Sequence, residues 1–250
     1  MNAAWRRPPL ADPFIVRTIH ASCRQMSPPQ PDRPAPHRPM PPSPPPRLIL
    51  ASASPRRASL LREAGYEFEI VTPHLQEPPV DSSPLSPVQF AEAMSFYKAA
   101  AVADSVGHGT ILAADTVVAR EGRVFGKPRD AEHARQMLSQ LAGTMQEVIT
   151  GVTLLDAATG RRLIRHDVTR VTMRSMTAAQ LETYIASGDW RGKAGAYGIQ
   201  DSGDVFIASY EGSFSNVVGL PLELLERMLR EFRSTTEQRR NSRSHARNGT

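Results

Sequence analysis

Leu48-Ile49-Leu50-Ala51-Ser52-Ala53-Ser54-Pro55-Arg56-Arg57-Ala58-Ser59-Leu60-Leu61-Arg62-Glu63-Ala64-Gly65 reads as a strand, a tight loop and a helix. The apolar run gives the strand. Ser54 is a good N-cap, Pro55 fits the first helical position, and Gly65 ends the helix in a left-handed conformation. The helix therefore begins where two hydroxyls and two guanidiniums converge. Its first-turn N–H groups favour an anion, and Arg56 and Arg57 would add charge-assisted bonds to phosphate oxygens. A capped helix with a solvated basic end fits the same residues, and nothing local decides between the two.

Composition divides the chain of 250 residues around this stretch. Fourteen of the 22 prolines lie in residues 1–46, a segment too poor in apolar surface to fold and expected to be a disordered extension. Residues 47–232 then form the folded domain, and 233–250 an Arg-rich tail without structure. Six Arg against two Asp in 1–46, and five Arg against two Glu in 231–250, leave the middle with a net charge of −2. The basic balance thus belongs to the ends. The domain itself has no footprint for specific nucleic-acid binding, and any positive charge there is placed locally.

Cys23 is the only cysteine, which excludes an intrachain disulfide and a cysteine-based zinc site and points to a reducing, cytoplasmic setting. No run of about 18 apolar residues is present to span a membrane. The N-terminus has no apolar stretch with a cleavage site, so no secretory signal is expected; an Arg-rich transit peptide stays open. Met26 and Met40 precede the folded region and are alternative translation starts.

Along the domain, Tyr66-Glu67-Phe68-Glu69-Ile70 alternates as a half-buried strand does. A Pro-rich loop from Thr72 to Pro87 carries Glu77. Ser86-Pro87 opens a helix whose apolar stripe is Phe90, Ala93, Met94, Tyr97 and Ala101, with Lys98 beside it. Thr110 to Ala119 reads as a strand buried on both faces, interrupted by Asp115, which is costly unless paired, metal-bound or facing a crevice; an aspartate satisfied by nearby backbone N–H groups is the plain alternative. Gly126-Lys127-Pro128 is a stiff turn displaying a lysine, and Asp130 caps a helix to Leu141 closed by Gly143. Gln146–Asp156 and Arg161–Arg174 form an antiparallel ribbon, and Thr177 opens a capping-box helix to Ser187. Lys193-Ala194-Gly195-Ala196-Tyr197-Gly198-Ile199-Gln200 is a loop whose small residues let backbone approach a ligand, or a purely structural glycine turn. A strand from Val205 to Ser209 leads to a last helix opened by Pro221, through Leu224, Leu225, Met228 and Phe232.

Local cations (Arg56, Arg57, Lys98, Lys127, Lys193) and acids (Glu77, Asp115) thus flank the expected strands. That inventory suits metal-assisted phosphate chemistry: cations for a triphosphate, Mg²⁺ bridging phosphate and carboxylate, and an acid to take a proton from water. No Walker P-loop, dinucleotide fingerprint or metalloprotease helix motif is present.

From about Leu48 to Leu229 the chain resembles the Maf family of nucleoside triphosphate pyrophosphatases. Ser52 to Arg57 resembles the family's opening signature, Ala114-Asp115-Thr116 its acid motif, Gly126-Lys127-Pro128 its lysine turn, Lys193 to Gln200 its late loop, and Val217 to Pro221 its final motif. The resemblance implies an α/β fold with a mixed twisted sheet, flanking helices and two lobes around a central cleft. It also implies a homodimer and a divalent cation, Mg²⁺ or Mn²⁺, held by Asp115 and Glu77. Catalysis would fall to Asp115 as proton acceptor with Glu77, Lys98 and Lys127, and substrate binding to Ser52, Arg56, Arg57, Thr116 and Gln200. Arg56, Thr116 and Gln200 together resemble the branch acting on dTTP and UTP, with modified pyrimidine nucleotides as further candidates. The sequence departs from the family at Gln76, where an aspartate usually precedes the glutamate, and at the aromatic pair Phe96-Tyr97 before Lys98. The competing readings are a 7-methyl-GTP pyrophosphatase of the same family, a nucleotide-sensing module linked to cell division, and nucleic-acid binding through the tails.

Overall fold

The computed structural model describes residues 47–76, 83–200 and 204–247. Two parallel pairings and four antiparallel ones make a mixed sheet. β1 (Leu48–Leu50) lies between β2 (Glu69–Ile70) and β3 (Thr110–Arg120), parallel to both. β3 then pairs antiparallel with β5 (Met145–Asp156), β5 with β6 (Arg162–Met173), and β6 with β7 (Ile207–Glu211). β4 (Arg123–Phe125) folds back on the end of β3.

β1 and β4 share one edge of β3 but do not meet. The β1 register ends at Leu50 opposite Leu112, and the pairing of β3 with β4 starts at Val118, opposite Phe125, the last residue of β4. Residues 113–117 face a window in the sheet between them. Because β1 and β3 are parallel, this window lies beyond the C-terminal end of β1, where open α/β sheets place their ligands.

Helices cover both faces. α2 (Pro87–Val106) packs against one, where Ile111 and Ala113 join one apolar cluster and Val117 and Ala119 another. On the opposite face, Leu112 and Ala114 pack with α1 (Pro55–Glu63) and α6 (Leu222–Arg247), while Val118 packs with α3 (Ala131–Leu141) and α4 (Ala178–Ser187). Side chains alternate along a strand. The apolar pattern therefore breaks once on each face, at Asp115 on the α2 side and at Thr116 on the other. The two expected lobes are these paired clusters, with the break between them.

Several elements differ from the sequence reading for identifiable reasons. The alternation in 66–70 suggests a full strand, but only Glu69 and Ile70 pair, at the sheet edge, and Ile70 is 48% exposed while Tyr66 and Phe68 pack on the core outside the ladder. The buried stripe of α2 is rotated from the expected one: Ala91, Ser95, Lys98 and Val102 are buried, whereas Tyr97 is 51% exposed and Ala93 and Ala101 are also exposed. The last strand begins two residues later than expected, and a short helix, α5 (Phe214–Val218), follows it. Helical backbone also continues past Phe232 to Arg247, where the sequence suggested a tail without structure. Residues 233–247 contain neither Gly nor Pro, so nothing in them stops a helix already nucleated by packing. The segment 1–46 lies outside the described residues. Among the described residues no helix is long and apolar enough to cross a membrane.

Phe232 is the last buried side chain of α6 among the described residues, and its ring lies under the Arg161 guanidinium, 3.6 Å from its centroid. Truncation after residue 234 is accordingly expected to leave the melting temperature within about 2 °C, less than a 1 kcal/mol change produces in a domain of this size. Phe232→Ala is expected to cost about 3–5 kcal/mol in urea unfolding.

Candidate active site

The chain leaves β1 at Leu50 and turns through Ser52, Ala53 and Ser54 into α1 at the window's rim. Pro55 occupies the first helical position, but Ser54 gives no side-chain cap, contrary to the sequence expectation. Instead Ser52 Oγ turns inward and accepts the Ser54 N–H at 3.2 Å. No side chain caps the start of α1, and Ser54 to Arg57, at its positive end, line the cleft.

Arg57 reaches across this turn and binds three separate pieces of the wall. Its Nε donates to the Gly219 carbonyl at 2.7 Å, Nη1 to Ser52 Oγ at 3.3 Å and Nη2 to Thr116 Oγ1 at 3.0 Å. Thr116 Oγ1 pairs with Thr150 Oγ1 at 2.9 Å, and Thr150 Oγ1 donates to the Asn216 carbonyl at 3.3 Å. One proton direction satisfies the whole chain, from Arg57 through both threonines to Asn216. Asn216 is fully buried, its Nδ2 donating to the Val148 carbonyl and to Thr169 Oγ1, both at 3.0 Å. The final sequence motif is thereby anchored to the sheet beneath Thr116.

On the other face of β3, Asp115 is 6% exposed and Lys98, on α2, 5%. Lys98 Nζ donates to Asp115 Oδ1 in a buried ion pair. The sequence reading placed Lys98 beside the apolar stripe; it lies on the buried face, and the pair explains how both charges are accommodated there.

Two bonds lace the remaining loops. Arg56 Nη2 donates to the Gly192 carbonyl at 3.1 Å, joining the start of α1 to the late loop, and the Gly195 N–H donates to the Gly126 carbonyl at 3.0 Å, joining that loop to the lysine turn. Gly195 has φ +66°, and a Cβ there would stand 2.9 Å from Val118 Cγ2. The close approach inferred from this glycine-rich stretch is thus to the protein's own sheet. Tyr197 is buried behind it, with Gln146 Nε2 donating to its hydroxyl at 3.3 Å. Burial pushes the phenol well above its ordinary value, so it stays neutral.

Ser52, Arg56, Arg57, Lys98, Asp115, Thr116, Lys127 and Gln200, scattered over 149 positions of sequence, line one cleft of about 450 Å³. Pro73 and Leu75 line it too, on the segment leading to Glu77; Glu77 itself lies outside the described residues. Arg191 and Lys193 complete the wall; Lys193 is one of the local cations read from the sequence, without an assigned role, and Arg191 is not singled out there. Thr150 and Asn216 were also missed, since a threonine inside an apolar strand and an asparagine before Val217 look ordinary until their partners are known.

Six cationic side chains therefore face one carboxylate among the described lining residues. The donor set bears on a metal. Among the described residues no three His, Cys, Asp or Glu come together. A dedicated protein cage is not present there, but Mg²⁺ is commonly held by one or two carboxylates, substrate phosphates and retained waters. Asp115 is able to contribute to a site of that kind.

The dTTP/UTP pyrophosphatase of Pelotomaculum thermopropionicum is 44% identical over 185 residues, covering 74% of this chain and 96% of that protein. The dTTP/UTP pyrophosphatase of Carboxydothermus hydrogenoformans is 45% identical over 186 residues, covering 74% and 98%. Among solved structures, the nucleoside-triphosphatase / dITP/XTP pyrophosphatase of Mycobacterium abscessus is 16% identical with a TM-score of 0.41, over 74% of this chain and 97% of that one. The family model described as Maf-like protein matches residues 47–232, the span that holds both lobes and the whole cleft, and the chain belongs to that family.

Proposed function

We infer that the chain is a nucleoside triphosphate pyrophosphatase that hydrolyses dTTP and UTP to the monophosphate and pyrophosphate, a housekeeping activity on the nucleotide pool. The observation that carries this reading is the excess of six cations over one buried carboxylate among the described lining residues of one cleft, in a family whose similar members are named dTTP/UTP pyrophosphatases.

Each part of the reaction finds a group. Asp115 accepts the proton of the water that attacks the α-phosphorus; the bond from that phosphorus to the bridging oxygen breaks, and pyrophosphate leaves with the electron pair. Lys98 occupies Oδ1 of Asp115 and so fixes the carboxylate's orientation. Lys127, Lys193 and the N-terminal end of α1 stabilise charge on the departing pyrophosphate. Arg57 acts both through its positive field and by holding Ser52, Thr116 and Gly219 in place. Arg56, Thr116 and Gln200 line the cleft, and their part in selecting the base rests on the family resemblance. A bound Mg²⁺, held by Asp115 and, on the family resemblance, by Glu77, would neutralise phosphate charge and position the triphosphate. The cytoplasmic setting and the homodimer rest on the sequence reading and the resemblance.

Pyrophosphate release from a panel of triphosphates with Mg²⁺ tests the reading. dTTP and UTP are expected to be turned over, and 7-methyl-GTP poorly. Binding across the panel without release would point to a nucleotide sensor. Asp115→Asn keeps the size of the side chain but removes the base and the charge opposite Lys98; in the folded variant kcat is expected to fall by about 10²–10⁴-fold.

The two arginines are expected to separate in steady-state kinetics. Arg57→Ala should lower turnover roughly tenfold or more on every substrate. Arg56→Trp should change the ratio of kcat/KM for UTP to that for 7-methyl-GTP more than it changes the overall rate. The reverse pattern would exchange their roles.

A further inference from the structure

Gly151 lies at the middle of β5, opposite Asp115 of β3 on one side and His166 of β6 on the other. It is not among the positive-φ glycines, so its backbone would accept any residue. Space is what forbids one. A Cβ on Gly151 would stand 2.2 Å from the Ala91 carbonyl oxygen, 2.4 Å from the Ala91 carbonyl carbon and 2.6 Å from the Glu92 nitrogen. All three are main-chain atoms of α2, so no rotamer change relieves the clash. The helix would have to rise by on the order of 1 Å to restore ordinary contact distances.

That turn of α2 sets the position of the next two. Ala91, Ser95 and Lys98 follow one another at four and three residues along one buried face. Ala91 rests over Gly151, and Ser95 Oγ meets Thr153 Oγ1 at 2.7 Å. Lys98 reaches Asp115, the cross-strand neighbour of Gly151. Beside the seat, Glu92 Oε1 and His166 Nδ1 lie 2.8 Å apart, at the other neighbour of Gly151. The ladder that contains the carboxylate thus also contains the position that determines how closely its lysine approaches.

We propose that Gly151 is a positioning residue for the reaction: its missing side chain seats α2 at the height from which Lys98 meets the Asp115 carboxylate. The catalytic meaning of this seat rests on the pyrophosphatase reading; the seat itself does not. A displacement of about 1 Å at a reacting group is able to cost about a hundredfold in rate.

The test uses the full chain with Gly151→Ala, and with Ala91→Val, which lifts the same turn from the helix side and serves where the first variant does not fold. Folded variants are expected to lose about a hundredfold in kcat on UTP, with KM changed by less than about threefold, because the loss is at the chemical step. Adding Lys98→Ala to either should cause little further loss, since the lysine is already displaced. Reductive methylation read by mass spectrometry gives a measure independent of activity: Lys98 is expected to be protected in the wild type and labelled in the variants. Full kcat in a folded variant, losses that multiply with Lys98→Ala, or continued protection of Lys98 would each overturn the proposal. A wild-type protein inert toward dTTP and UTP would remove the pyrophosphatase reading, while the labelling would still decide whether Gly151 sets the position of Lys98.

Discussion

The ion pair between Lys98 and Asp115 is the interaction on which the arrangement of this molecule depends. A carboxylate at the centre of a buried strand is costly unless its charge is met, and removing one member of such a pair typically costs about 3–5 kcal/mol. Meeting it from α2 requires the helix to lie close on the sheet, which the glycine at 151 permits. The apolar clusters on that face accordingly fall into two, one on either side of the pair. On the opposite face Thr116 makes the corresponding break, satisfied by Arg57 and Thr150. Two adjacent polar residues in one long strand thus divide the core on both faces and leave between the halves the window that becomes the cleft.

What fills the window follows from electrostatics. The domain's charge balance is slightly negative, yet the cleft wall is strongly cationic because the first turn of α1 brings Arg56 and Arg57 there and loops bring Lys127, Arg191 and Lys193. Hydrogen bonds between those segments hold the charges together against their repulsion: Arg56 to the Gly192 carbonyl, and Gly195 to the Gly126 carbonyl. A polyanion is the ligand that relieves such a concentration of charge, and a carboxylate at its centre adds a proton acceptor. Triphosphate hydrolysis joins these two features economically.

Much of this was legible in the sequence where a residue's role is local. The helix starts at Ser86, Asp130 and Thr177 are capped as expected, and the β5–β6 ribbon pairs over its expected length. The ordered motifs also converge on one cleft. Illegible were the features set by packing between distant segments. The face of α2 was misjudged because alanines populate both sides of the helix, so periodicity alone could not tell that Tyr97 points outward and Lys98 inward. Ser54 has the type and position of a cap, but its side chain bonds no first-turn N–H, while its own N–H goes to Ser52 Oγ. Asn216 and Thr150 gain meaning only from partners 68 and 34 residues away.

A crystal structure of the Asp115→Asn protein with Mg²⁺ and UTP tests the central claim most directly. The triphosphate is expected in the cleft between the start of α1 and the lysine turn, its α-phosphorus next to residue 115 and the β- and γ-phosphates toward Lys127 and Lys193. UTP bound outside this cleft, or bound with its γ-phosphorus next to residue 115, would contradict it.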